Sequence, residues 1–147
     1  MPNAVSADSA DALVERYLAS WNEPDPARRA ALLAGTFTED ASYVDPLARD
    51  AGHAGLARLI AGVHAQFPGF RFARAGRVDA VADHVRFSWT LGPAGATGAA
   101  APIAGTDFAR VAADGRLASV HGFLDRVPGD APSSPDAAAG AAPAGAA

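Results

Sequence analysis

The stretch Val85-Arg86-Phe87-Ser88-Trp89-Thr90-Leu91 alternates large apolar residues with polar ones over seven positions. That period of two predicts a strand with one face in a core and one face toward water. Working outward, Phe70-Arg71-Phe72-Ala73 starts the same pattern just after Pro68-Gly69. Ile103 to Val111 and Leu117 to Leu124 predict two more strands, joined by a turn at Ala113-Asp114-Gly115. The segment Gly92 to Pro102 has no period and predicts a long hairpin loop. Before Pro68 the period is helical. Leu13, Val14, Tyr17, Leu18 and Trp21 mark a first helix that Asp8 or Ser9 can cap. A second runs from about Pro26 to Leu33, and a third carries Leu56, Leu59, Ile60, Val63 and Phe67 on one face. Between them Phe37, Ala41, Tyr43 and Val44 predict a short strand that stops at Asp45-Pro46. Helices first and strands after give an α+β domain, a curved antiparallel sheet with the helices on one side.

The chain has 147 residues, enough for one domain. It contains 39 Ala, so large side chains are few and each one matters to the core. All 12 basic residues are Arg, and the net charge of -4 argues against a nucleic-acid or anionic-membrane partner. The absence of Cys excludes disulfides, thiolate metal sites and cysteine nucleophiles. No apolar run reaches the roughly 18 residues that span a bilayer. Met1-Pro2-Asn3-Ala4 lacks the basic and apolar regions of a signal peptide, so the expected location is the cytoplasm. Residues 1–8 are expected to fray, 9–127 to form the domain, and 128–147 to be a disordered Ala/Pro/Gly-rich tail. From Pro128 to Ala147 there is no large apolar residue to offset the entropy of ordering.

Three stretches carry a resemblance. Tyr17-Leu18-Ala19-Ser20-Trp21-Asn22, Phe37 to Pro46, and Gly105-Thr106-Asp107-Phe108 with Asp114-Gly115-Arg116-Leu117 resemble parts of the nuclear transport factor 2-like (SnoaL-like) superfamily. The resemblance covers about residues 11–125. It implies a cone with three helices on the concave side of the sheet and an apolar small molecule inside. This fold hosts isomerases, cyclases, dehydratases, hydrolases and pure binding modules, so fold alone assigns no activity. The ketosteroid isomerase group gives the nearest catalytic template. By that resemblance Tyr17 matches a helix-one oxyanion donor and Asp45, in Val-Asp-Pro, matches the base. The template's protonated acid falls on Thr106, with Asp107 beside it. Neighbours on a strand face opposite ways, so Asp107 does not simply replace Thr106 unless a bulge intervenes.

Each candidate has a plain structural reading beside the chemical one. Asp45 before Pro46 also starts turns, and Tyr17 also serves as a core ring. Phe87, Trp89, Phe108 and Leu124 on the sheet, with Tyr43, Thr106, Ile60 and Val63, are the expected ligand-lining set, and Trp89 is the foremost among them. His53, His64, His84 and His121 fit no metal spacing, so no metal and no cofactor are expected. On the last strand Ser119, His121 and Phe123 are expected to face outward. An exposed Phe123 predicts a homodimer through the outer face of the sheet. The functional expectation is a small-molecule pocket protein that moves a proton next to a carbonyl, as isomerases and polyketide cyclases do. The alternatives are a non-catalytic ligand-binding module and a homodimeric interaction domain.

Overall fold

The computed structural model describes residues 4–128. The tail expected over 128–147 lies outside the described residues, apart from Pro128. Helix α1 spans Ala7–Asn22, α2 Pro26–Thr36 and α3 Gly52–Gln66. The strands are β1 Phe37–Val44, β2 Arg49–Ala51, β3 Phe70–Val81, β4 His84–Pro93, β5 Ile103–Val111 and β6 Leu117–Arg126. They form one curved, unclosed sheet in the order β2-β1-β6-β5-β4-β3. The α+β class is as expected, but the sheet is mixed and not antiparallel throughout. β1 runs parallel to β6, pairing Ser42, Tyr43 and Val44 with Ser119, Val120 and His121. The long connection from β1 through α3 and the β3–β5 meander returns the chain in the same direction, which a tight hairpin cannot do.

Local sequence sets the element ends. Helix α1 begins earlier than expected, because Ser6 and not Asp8 or Ser9 is its cap: the Ser6 hydroxyl accepts from the Ser9 backbone N–H at 3.1 Å. Val5, within the stretch expected to fray, donates its N–H to the Ala82 carbonyl at 2.9 Å. Asp25 caps α2 through the Arg28 N–H, with Pro26 in the first turn. Asp45 ends β1, as its place before Pro46 predicts. β2 is a short extra strand in what reads as a loop, and its Arg49 and Ala51 pair with Val44 and Ser42. β4 continues through Gly92 to Pro93, so the expected loop starts two residues later, and one turn of 3₁₀ helix forms in it at Gly98–Ala100.

The core lies between the helices and the sheet. Leu13, Val14, Tyr17, Leu18 and Trp21 of α1 are buried, with Leu33, Phe37, Leu56 and Ile60 beneath them and Val85, Phe87, Trp89 and Leu91 on the sheet. Each such large side chain contributes about 1.5–3 kcal/mol of transfer free energy. Polar pins fix the helices to one another. The His64 Nε2 lies 2.6 Å from the Trp21 carbonyl, and an Arg29 Nη2 lies 3.3 Å from His64 Nδ1. The guanidinium can only donate, so Nδ1 accepts and Nε2 carries the proton. His64 is thereby a structural residue that ties α3 to the end of α1.

Asn22 performs a second kind of pinning. Its side chain accepts from the Phe72 N–H at 2.7 Å and donates to the Phe72 carbonyl at 2.9 Å. β3 is an edge strand, so the amide of Asn22 takes the position of a missing neighbour strand. Asn22→Ala is expected to lower stability by about 1–3 kcal/mol, since it strands two partly buried backbone groups. Urea denaturation monitored by far-UV dichroism checks this, and an unchanged midpoint contradicts it.

Candidate active site

Strand β5 places the site. Ile103, Gly105, Asp107, Ala109 and Val111 are buried in strict alternation, while Thr106, Phe108 and Arg110 turn away. β4 fixes that register, because Phe87 pairs with Asp107 and Trp89 pairs with Gly105. Directly opposed residues share a face, so the inward set of β4 draws Asp107 and Gly105 inward. The expectation for Thr106 and Phe108 is thus corrected. Thr106 bonds Ser88 and Asp125 on the outer face, and Phe108 is 45% exposed there. Asp107 takes the inward place, at 1% exposure.

Asp107 is held from two sides. The Tyr17 hydroxyl donates to its Oδ2 at 2.7 Å, and the Trp89 indole Nε1 donates to its Oδ1 at 3.0 Å. Two glycines make this possible. A Cβ at Gly105 would stand 2.2 Å from Trp89 Cζ2, and a Cβ at Gly122 would stand 2.9 Å from Asp107 Oδ1. Gly105 and Gly122 are the cross-strand partners of Trp89 and Asp107, so each large side chain lies across a residue with none. Asp45 forms a second acid–phenol pair. Tyr43 donates to Asp45 Oδ2 at 2.7 Å, while the backbone N–H groups of Leu47 and Ala48 donate to Oδ1 at 2.8 and 2.9 Å. The two pairs meet at Gly122: its ideal Cβ position is 3.3 Å from Asp45 Cβ and 3.6 Å from the Tyr43 hydroxyl.

These groups line a cavity of about 300 Å³. Its wall includes Tyr17, Trp21, Tyr43, Asp45, Phe72, Trp89 and Asp107, with Leu59, Val63, Phe67, Leu91, Ile103 and Leu124. Of the expected lining set, Trp89, Tyr43, Val63 and Leu124 stand in the wall, as do Tyr17 and Asp45. Ile60 and Phe87 do not. Both are fully buried behind the wall, Phe87 with its ring 5.1 Å from that of Tyr17. His53 is also outside it, bonded through Nε2 to the Phe37 carbonyl at 2.8 Å. The described residues contain no group of three or more His, Asp or Glu able to hold a metal ion. No helix among them is long and apolar enough to cross a membrane.

Burial pushes the Asp107 carboxyl up to about 6. The hydrogen bonds from Trp89 and Tyr17 pull it down, and the charges of Asp45 and Asp125 push it further up. Burial likewise pushes the hydroxyls of Tyr17 and Tyr43 well above their ordinary value, so both remain protonated donors. A carboxyl raised in the folded state holds its proton more tightly there than in the unfolded chain. Its contribution to stability is therefore present at low pH and is lost as pH rises from about 4 through 6. Asp107→Asn cannot ionise, so its stability relative to wild type should be higher at about pH 8 than at about pH 5, by roughly 1.4 kcal/mol, with a correspondingly higher melting point. Calorimetry at the two pH values checks this, and a difference that does not change with pH contradicts it.

Comparisons with known proteins agree with this architecture. Residues 14–120 match the SnoaL-like domain family. Among curated proteins, none matches the chain. A SnoaL-like protein of Agrobacterium tumefaciens, provisionally assigned as an isomerase, is 36% identical, with 80% of this chain and 98% of that one covered at a TM-score of 0.74. A protein of Sinorhizobium meliloti, provisionally assigned as a polyketide cyclase, shares the fold at 18% identity and a TM-score of 0.59, with 78% and 97% covered. A protein of Catenulispora acidiphila with a ketosteroid isomerase-like fold, solved in complex with trimethylamine, shares it at 18% identity and a TM-score of 0.60, with 76% and 83% covered. Sequence match and fold together place this chain in the SnoaL-like family of the nuclear transport factor 2-like fold.

Proposed function

We propose that the chain catalyses proton transfer next to a carbonyl, as an isomerase or a SnoaL-like polyketide cyclase does, on an apolar small molecule held in the cavity and without a cofactor. One observation carries this reading: a buried carboxyl raised to about 6, held by a phenol and an indole in the wall of an apolar cavity. A group that titrates near neutrality both takes and returns a proton. Asp107 takes a proton from the carbon beside the carbonyl. The C–H electron pair moves to the carbonyl oxygen as an enolate. Neutralised Asp107 releases its hold on the Tyr17 hydroxyl, which turns to the new oxyanion. Return of the proton from Asp107 to another carbon completes an isomerisation, and attack of the enolate carbon on a second carbonyl, whose alkoxide oxygen then takes the proton from Asp107, completes a cyclisation. Asp45, first expected to be the base, has its two oxygens shared among three donors, and we assign it a supporting charge near the reaction. The family and the provisional assignments of its relatives support the reaction class.

The binding-module reading has one observation in its favour: the Tyr17 hydroxyl is committed to Asp107 and offers a carbonyl nothing. Deuterium exchange separates the two. With 2-tetralone in D₂O, the wild type should exchange the α-protons faster than buffer. Asp107→Asn should lose at least about 100-fold of that rate and Tyr17→Phe at least about 10-fold. Exchange no faster than buffer leaves the chain a binding module, and accelerated exchange undiminished in Asp107→Asn overturns Asp107 as the base.

We also propose a homodimer through the outer face of the sheet. Phe108 and Phe123, 45% and 55% exposed, stack edge to face there at 5.8 Å, which makes one exposed aromatic patch. A two-fold contact would remove both rings from water. Sedimentation at micromolar concentration should show a dimer that Phe123→Arg weakens, and a wild-type monomer overturns this.

A further inference from the structure

The donors and charges of the cavity wall are unequal. The Tyr17 and Tyr43 hydroxyls and the Trp89 indole all donate to the two carboxylates of the wall. The charged residues among the described lining are Asp45, Asp107 and Arg58. Arg58 does not balance the other two. Its guanidinium is bound by both oxygens of Asp50, with contacts of 3.1 to 3.3 Å, and its side chain is 67% exposed. The wall therefore presents acceptors and uncompensated negative charge, and the two hydroxyls and the Trp89 indole already serve the carboxylates. An anionic ligand would meet two carboxylates, and a neutral ligand would leave their remaining lone pairs unmet.

The rest of the wall suits a positive charge that is poorly hydrated. Trp21 stands 5.6 Å from Tyr43 and 5.4 Å from Phe72 between ring centroids, and Phe72 stands 5.3 Å from Trp89. Interplanar angles of 46° to 69° turn these rings across one another. Aromatic surfaces attract alkylated ammonium groups, and do so more strongly where water is excluded. Trp21 also carries an unmet donor. Its Nε1 is buried and has no hydrogen-bond partner among the described residues, although buried N–H groups are normally paired.

We propose that this cavity takes an organic cation: a small molecule whose alkylated ammonium group sits among Trp21, Tyr43, Phe72 and Trp89, beside Asp45 and Asp107. The carboxylates belong to one neighbourhood, since Asp107 Oδ1 and Asp45 Cβ both lie within 3.3 Å of the point a Gly122 side chain would occupy. A single ammonium can therefore face both. The inference rests on the charge and donor inventory of the cavity and not on the proton transfer proposed above, so either can fail alone.

Choline and 3,3-dimethylbutan-1-ol test it. They share shape and hydroxyl and differ in the charge at the quaternary centre. Both tryptophans of the chain line the cavity, so intrinsic fluorescence reports occupancy directly. At matched ionic strength the wild type should bind choline at least about tenfold more tightly than the alcohol. Asp45→Asn and Asp107→Asn should each reduce that preference several-fold. Equal or tighter binding of the alcohol overturns the proposal, as does binding of neither probe or a preference unchanged in both variants. The wild-type comparison decides the matter even if a variant fails to fold. Deuterium exchange of neutral 2-tetralone reports on the reaction separately.

Discussion

The structure turns on one buried carboxylate. Asp107 is the inward group of β5 where an apolar residue would be expected, and it lies against Tyr17, Trp89 and Phe87 with almost no contact with water. Removing a charge from water costs several kcal/mol unless donors replace the solvent. The Tyr17 hydroxyl and the Trp89 indole replace part of it, one from α1 and one from β4, so the helix layer and the sheet share a polar contact through the core. That contact fixes the rotation of α1, because a different face of the helix would not bring a hydroxyl to Asp107. Burial exceeds what the two donors return, and the carboxyl is accordingly left near neutrality. The site thus carries a standing cost in stability, a common accompaniment of functional groups held away from their comfortable state.

Backbone chemistry supports the same point. Gly105 and Gly122 are placed under the two side chains that make the polar cluster. A methyl group at either would meet an indole or a carboxylate with nowhere to go, so these glycines serve by having no side chain. Tyr43 and Asp45 approach from β1 on the far side of Gly122, and that strand reaches the position only because it lies parallel to β6. The polar cluster therefore draws on α1, β1, β4 and β5, with β6 as its floor.

Much of this was legible in the residues. The helical faces of α1 and α3 and the alternation of β4, with Trp89 on its inward face, follow from strong periodicity over many positions, whereas Tyr17 and Asp45 stand out by the family resemblance. In β5 the one large aromatic, Phe108, stands at an even position, and the resemblance sets the template's acid at Thr106, so both signals point to the even face while the odd face is the buried one. The odd positions Ile103, Ala109 and Val111 carry the weaker but more numerous apolar signal, and they share parity with Asp107. Counting them would have turned Asp107 inward. Ile60 and Phe87 were given the right face and the wrong depth, since periodicity reports which way a residue points and not whether a cavity or another side chain stands beyond it. The parallel pairing of β1 with β6 is a long-range fact that no local pattern encodes, and β2, three residues long, has too few positions to show a period.

That parallel pairing also bears on how the chain acquires its shape. Ser42 meets Ser119 and Tyr43 meets Val120 across most of the sequence. Closing so long a loop carries a large entropic cost before any contact offsets it. β3 through β6 can assemble from neighbour to neighbour by successive hairpins, whereas β1 can dock only on a β6 already in place. Topology of this kind slows folding relative to a chain whose contacts are local. It also makes the meeting of Tyr43 and Asp45 with Asp107 depend on that long-range pairing. A nascent chain still lacking β6 can hold helices and a partial meander, but it has no second acid beside the first. Ligand binding then stabilises only the completed fold and gives the slowest contact in the molecule its thermodynamic reward.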